Sequence, residues 1–255
     1  MRKLLTVGNP KTAKGVEFGY LTAVLHLAPF NLSGVNVCPM AELAGCVRAC
    51  LNTAGRGGIA KGGMVTFDSV STGERTNVIQ RARIARTHWF LTDRNEFMEA
   101  LCADIESLQR KATRNGLKLC VRLNGTSDIR WEDIPVGPFA SVFAAFPEIQ
   151  FYDYTKIPNR RRALDVPNYR MTFSYSARPE FAPIVAKALA TYGDRVNVAA
   201  VFASRDLPQA FLGRTVANGD ESDLRFLDPT GVVVGLYAKG KAKRDTSGFV
   251  VPAVS

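Results

Sequence analysis

Short apolar runs recur along the chain, each closed by polar residues, proline or glycine. The stretches "YLTAVLHLAPF" (20–30), "LKLCVRL" (117–123), "IQFYDY" (149–154), "YRMTFSYS" (169–176), "VNVAAVFA" (196–203) and "GVVVGLYA" (231–238) are short and β-rich, which predicts strands. Other stretches carry a helical period. "NVIQRARIART" (77–87) reads as helix, and Phe97, Leu101, Ile105 and Leu108 mark one face of a second helix over 95–115. Asp93 and Glu96 have capping-box spacing ahead of it, and Gly116 supplies its stop. "RPEFAPIVAKALATYG" (178–193) reads as a helix between two strands.

Near-continuous apolar strands alternating with helices suggest a parallel sheet covered on both faces. The expected fold class is α/β, a partial (β/α) barrel or a mostly parallel sheet flanked by helices. One domain spans 1–255, with an irregular N-terminal segment at 1–19 and a Cys/Gly-rich loop at 38–63. That loop carries Gly55, Gly57, Gly58, Gly62 and Gly63, too many for a continuous helix. No Gly-x-Gly-x-x-Gly follows the first strand and no Walker-type Gly-Lys-Ser/Thr occurs, which argues against dinucleotide and NTPase sites.

Composition narrows the class. With 46% apolar and 22% charged residues the chain is globular rather than disordered. No apolar run approaches bilayer-crossing length, and the basic N-terminus lacks the apolar core of a signal peptide. A soluble, cytoplasmic protein with no membrane partner is expected. A net charge of +10 favours a polyanionic partner, nucleic acid or a nucleotide, or a phosphorylated substrate; solubility alone also accounts for it. The basic features are Arg81, Arg83 and Arg86, "NRRR" (159–162) and "KGKAKRD" (239–245). Tyr152, Tyr154 and Tyr169 flank the second, as a single-strand nucleic-acid groove requires; a solvated charged face is the alternative.

Three of the five cysteines fall in one short stretch, "CPMAELAGCVRAC" (38–50). An odd count in an unexported chain of this size points to thiols or metal ligands rather than disulfides. Zinc wants four ligands, commonly in tight Cys-x2-Cys pairs that are absent here; His26, His88, Cys102 or Cys120 could complete such a site. Three thiolates from one glycine-rich loop instead suit a [4Fe–4S] cluster with one open iron, assigning Cys38, Cys46 and Cys50 as metal ligands. Small buried residues are the third option. Cys102 and Cys120 read as core thiols, and His26 as a core or near-site histidine.

In open α/β sheets and barrels, ligands gather beyond the carboxyl ends of the strands. After the second strand comes "NGTSDIRWE" (124–132), where Asn124, Gly125, Thr126 and Ser127 offer a cofactor-binding turn. Asp128 or Glu132 could bind an amine or act as acid/base, although Ser127 or Asp128 could equally cap a turn. After the third strand, Asp153 and Lys156 face a substrate, so Asp128, Asp153 and Lys156 are the candidate catalytic residues. Asp128, Glu132 and Asp153 could alternatively gather around Mg²⁺ in a nuclease. With two histidines, no Ser/His/Asp set emerges. The acidic segment 218–231 lacks the EF-hand pattern.

Taken in order, "GNPKTAKG", "CPMAELAGCVRACLNTAGRGG", "RLNGTSDIRWE", "FYDYTK", "PNYRMTFSYS", "NGDESDLRFLDPTGVVVGLYAKGKAKRD" and "GFVVP" resemble the phage-encoded gene product 88 domain family over nearly the whole chain. The resemblance implies a bacteriophage origin and expression in a bacterial host's cytoplasm, with no established activity. The architecture, a strand, a three-cysteine loop and a β/α succession with a polar turn after the second strand, also resembles radical S-adenosylmethionine enzymes. That likeness implies a [4Fe–4S] cluster and S-adenosylmethionine as cofactors, with the strand tip at 125–128 meeting the cofactor's amino group. The competing expectation is a non-catalytic nucleic-acid-binding phage protein with structural zinc or no metal.

Overall fold

The computed structural model describes residues 3–8 and 14–252. Its strands are, in chain order, β1 (Leu5–Thr6), β2 (Tyr20–Leu25), β3 (Ile59–Ala60), β4 (Gly63–Met64), β5 (Lys118–Arg122), β6 (Gln150–Thr155), β7 (Tyr169–Ser174), β8 (Asn197–Phe202), β9 (Ala210–Phe211), β10 (Arg214–Asn218) and β11 (Val233–Tyr237). Helices α1 (Phe67–Ser71), α2 (Val78–Thr92), α3 (Arg94–Arg114), α4 (Val142–Ala145) and α5 (Ala182–Tyr192) lie between them. One nine-stranded sheet runs β1-β2-β5-β6-β7-β8-β11-β10-β9, and β3 and β4 form a separate hairpin. From β2 to β10 every neighbouring pair is parallel; only the edge strands β1 and β9 run antiparallel. The sheet stays open and does not close into a barrel.

The period-2 alternation of the strands sorts side chains onto two different surfaces. Leu119, Val121, Phe151, Met171, Phe173, Val198 and Ala200 join the helices in one large core. Phe97, Leu101, Ile105 and Leu108 of α3 are buried in it, as their spacing predicts. The Asp93 carboxylate accepts the Glu96 N–H at 3.0 Å, while the Glu96 carboxylate accepts from Trp89 Nε1 instead of closing the capping box. Gly116 terminates α3 at φ +67°, a conformation that favours glycine.

Among the described residues the opposite face carries no second helical layer. Cys120 and Tyr152 pack there against Leu224, Tyr20 and Phe226, which plug the amino-terminal half of that surface. The carboxyl-terminal half stays open. The N-terminal segment expected to be irregular contains β1 and a 3-10 turn at Lys14–Phe18, whereas residues 9–13 lie outside the described residues. The Cys/Gly-rich loop likewise contains 3-10 turns at Leu51–Thr53 and Gly55–Gly58 and then the β3–β4 hairpin. No helix among the described residues is long and apolar enough to cross a membrane.

Candidate functional site

At the carboxyl ends of the parallel strands the open half of the sheet forms a cavity of about 220 Å³. Cys38, Cys46 and Cys50 all line it. Helix α2 fixes their loop. Gln80 Nε2 donates to the carbonyls of Asn52 (2.9 Å) and Gly57 (2.8 Å), and its Oε1 accepts from Asn52 Nδ2 at 2.8 Å. Arg83 donates to the Asn52 carbonyl at 2.7 Å. The glycines permit the tight fold: a Cβ at Gly58 would sit 2.0 Å from the Thr53 carbonyl oxygen. The loop is also stitched to the tip of β5, since Asp128 N–H donates to the Val37 carbonyl at 2.9 Å and Cys38 Sγ lies 3.6 Å from the Thr126 carbonyl.

All five cysteines are free. Burial pushes the Cys50 thiol up to about 11 and the Cys38 thiol higher still. Among the described residues no group of three or more His, Cys, Asp or Glu side chains is drawn together to hold a metal ion. The three sulfurs thus share a cavity without a ready-made single-ion centre. In a cluster each cysteine binds a different iron, so its sulfurs would stand further apart than the ligands of a single ion.

The second wall is the β5 tip. Asn124 is its hub: Oδ1 accepts from Ser127 Oγ (2.9 Å), Ile129 N (2.9 Å) and Trp131 Nε1 (3.1 Å), and Nδ2 donates to the Ile129 carbonyl at 2.9 Å. Thr126 Oγ1 donates to the Leu27 carbonyl at 2.5 Å. These side chains hold the loop's shape, so what the tip offers a ligand is its backbone. The N–H groups of Thr126 and Ser127 have no acceptor among the described residues. Asp128 accepts from Thr155 Oγ1 (2.8 Å) and Lys156 N–H (2.7 Å), with Arg160 Nη1 at 3.8 Å. Burial nevertheless raises its pKa above the ordinary carboxylate value, outweighing Arg160 and both hydrogen bonds.

Asp153 does not line this cavity. Strand alternation turns it to the helical face, fully buried, where its Oδ1 accepts the Asn124 N–H at 2.6 Å and burial pushes its pKa up to about 7. Nor do Asp128, Glu132 and Asp153 form an Mg²⁺ cradle: Glu132 accepts two hydrogen bonds from buried Arg160, at 2.9 and 2.5 Å. The tyrosines beside "NRRR" do not form an exposed groove. Tyr152 is 0% and Tyr169 6% exposed, because their strands are covered on both faces, and Arg160 is buried with them. Lys156 reaches the cavity from the end of β6, its Nζ donating to Ser174 Oγ at 2.7 Å.

Residues beyond the expected set complete the lining. Arg122 sits with its guanidinium carbon 4.7 Å from the Tyr154 ring centre and Nη1 3.6 Å from Asp223. Asp220 pairs with Lys239, and Phe249 lies beside Lys156. Arg122 was findable by alternation from Cys120; Asp220 and Asp223 lie in the acidic segment whose carboxylates meet cations here. Cys120 is buried with its Sγ 3.4 Å from Thr22 Oγ1, and Cys102 packs at the edge of the main core. His26 is held neutral, its pKa lowered to about 3 by burial and by Arg83, Arg122 and Arg86. His88 is exposed on α2.

Compared with known proteins, residues 3–253 match the model of a family described as gene product 88. No curated protein and no solved structure matches the chain.

Proposed function

Since the chain belongs to the gene product 88 family, we propose that it is a bacteriophage protein of the host cytoplasm whose cavity is the active site of an iron–sulfur enzyme. Cys38, Cys46 and Cys50 would hold a [4Fe–4S] cluster, and S-adenosylmethionine would occupy the iron they leave open. With an external one-electron donor, such a cofactor pair would supply radical chemistry toward an otherwise inert bond.

The chain's own residues have separate tasks in this reading. The free N–H groups of Thr126 and Ser127 and the carboxylate of Asp128 orient the cofactor's polar groups. Gly125 lets the β5 tip lie close against β2, and Asp153 steadies Asn124 from the opposite face. Lys156 belongs to the substrate side. The net charge of +10 favours a nucleotide or a nucleic-acid-related substrate.

One observation carries the reading: three cysteines of one loop line the same cavity as the β5 tip, at the carboxyl ends of parallel strands. Burial keeps the Cys38 and Cys50 thiols protonated, so a metal bound through them would have to displace those protons. The test is purification without oxygen, with an absorbance spectrum and a count of iron, sulfide and zinc. Iron and sulfide in cluster proportion, with a charge-transfer band near the visible, is the expected result. Colourless protein that stays free of iron after anaerobic reconstitution sinks the proposal.

A further inference from the structure

The carboxylates of the cavity each have a cation beside them, with Arg160 shared between Asp128 and Glu132. Asp220 pairs with Lys239, Asp223 stands 3.6 Å from Arg122, and Asp128 has Arg160 at 3.8 Å. Lys156 forms no ion pair among the described residues, although its side chain is half-buried. Its ammonium has three N–H donors. Ser174 Oγ takes one at 2.7 Å, and the Phe249 ring centre lies 4.9 Å away. Asp128 feels the Lys156 charge without forming an ion pair with it, so a half-buried ammonium with no direct partner has room for an incoming anion.

Other unmet groups in the cavity have the same polarity. Arg122 Nε is buried without an acceptor, and the N–H groups of Thr126 and Ser127 have none. By contrast, no buried side-chain oxygen of a cavity-lining residue lacks a partner among the described residues. The unmet demand is therefore for acceptors. Apolar side chains, Phe30, Val47, Leu51, Val201, Leu236 and Phe249, line much of the remaining space.

We propose that this cavity takes a small organic anion, an apolar body bearing a terminal carboxylate or phosphate, with Lys156 as the seat of the anionic end. The inference rests on the cavity being a ligand site and is independent of the cluster. Ser174 holds the ammonium in position, and Phe249 covers the junction between the charged end and the apolar body.

Titration calorimetry on the full chain tests it, with phenyl phosphate, phenylacetate and uncharged benzyl alcohol as matched probes. Both anions, or one of them, should bind at least tenfold more tightly than the alcohol; the stronger arm tells phosphate from carboxylate. Lys156→Met should erase that preference, Lys156→Arg should retain it, and Lys187→Met on α5 should leave it unchanged. Equal binding of all three probes by the native chain overturns the proposal. So does an anion preference that survives in Lys156→Met, and, if that variant does not fold, one absent from a folded Lys156→Arg. Iron content is measured on the same samples, so a missing cluster with intact anion preference defeats only the iron–sulfur reading. A present cluster without the preference defeats only this one.

Discussion

The Asp153 carboxylate accepts the main-chain N–H of Asn124 at 2.6 Å, tying the middle of β6 to the turn that follows β5. The bond crosses from the helical side of the sheet to the loop bordering the cavity. Asp153 therefore acts on the site through Asn124, without touching a ligand.

That relationship has a pH signature. Burial pushes Asp153 up to about 7 in the folded chain, against about 3.9 in an unfolded one. Between those values the folded state keeps a proton that the unfolded state has released. The group's contribution to stability is thus full in acid and is progressively lost as pH climbs toward 7. Asp153→Asn keeps an acceptor for the Asn124 N–H and cannot titrate. Urea unfolding at pH 5 and pH 7.5 should show a larger fall in stability for the native chain than for Asp153→Asn. Parallel behaviour of the two would contradict the assignment.

Buried Arg160 makes a different demand. It donates to Glu132 at 2.9 and 2.5 Å and stands 3.8 Å from Asp128, and its side chain is 0% exposed. Arg160→Met would leave two buried acids without their cation, a loss of about 3–5 kcal/mol by the usual scale for breaking a buried pair. Arg162→Met, which removes an exposed partner of Asp133, should change stability little. Denaturant midpoints of the two variants settle the contrast.

These two arginines also indicate what the sequence could and could not reveal. "NRRR" has one composition but several environments, and no local pattern distinguishes Arg160 from its exposed neighbours. Strands β2, β5, β6, β7, β8 and β11 were legible because each contributes to the apolar core on the helical face. The two-residue edge strands β1 and β9 were not, nor was β10, which has no fully buried position. The gathering of polar residues at one end of the sheet followed from strand order and put Cys38 and Lys156 together. Asp153 was misassigned to that gathering because a one-residue step along β6 exchanges the two faces. Tyr154, one step further along, lines the cavity, as do Thr155 and Lys156 where the strand ends.

Gly125 is where backbone approach leaves no room for a side chain. A Cβ there would lie 2.5 Å from the Leu25 carbonyl oxygen and 2.7 Å from Val24 Cγ1, and the carbonyl belongs to a strand that cannot give way. Gly125→Ala should cost about 1–3 kcal/mol, the range for overpacking, and move the tip away from β2. In the same variant, the hydrogen exchange of the Gly125 amide, which donates to the Leu25 carbonyl at 3.0 Å, should accelerate. An unchanged unfolding midpoint would contradict this packing account.

Loading of the cysteine loop should itself depend on pH. The Cys50 thiol stands near 11 and the Cys38 thiol above it, both because burial disfavours the thiolate. A metal bound through these sulfurs must displace their protons, so protons compete with it and the competition weakens as pH rises. Anaerobic reconstitution should therefore give less bound iron at pH 6.5 than at pH 8.5, with the remaining conditions fixed. Cys50→Ala should abolish the bound iron at both values, whereas Cys102→Ala, whose thiol packs at the edge of the helical core, should leave the profile intact. Iron that binds equally well to Cys50→Ala would be held elsewhere, and the three-cysteine site would fall with it.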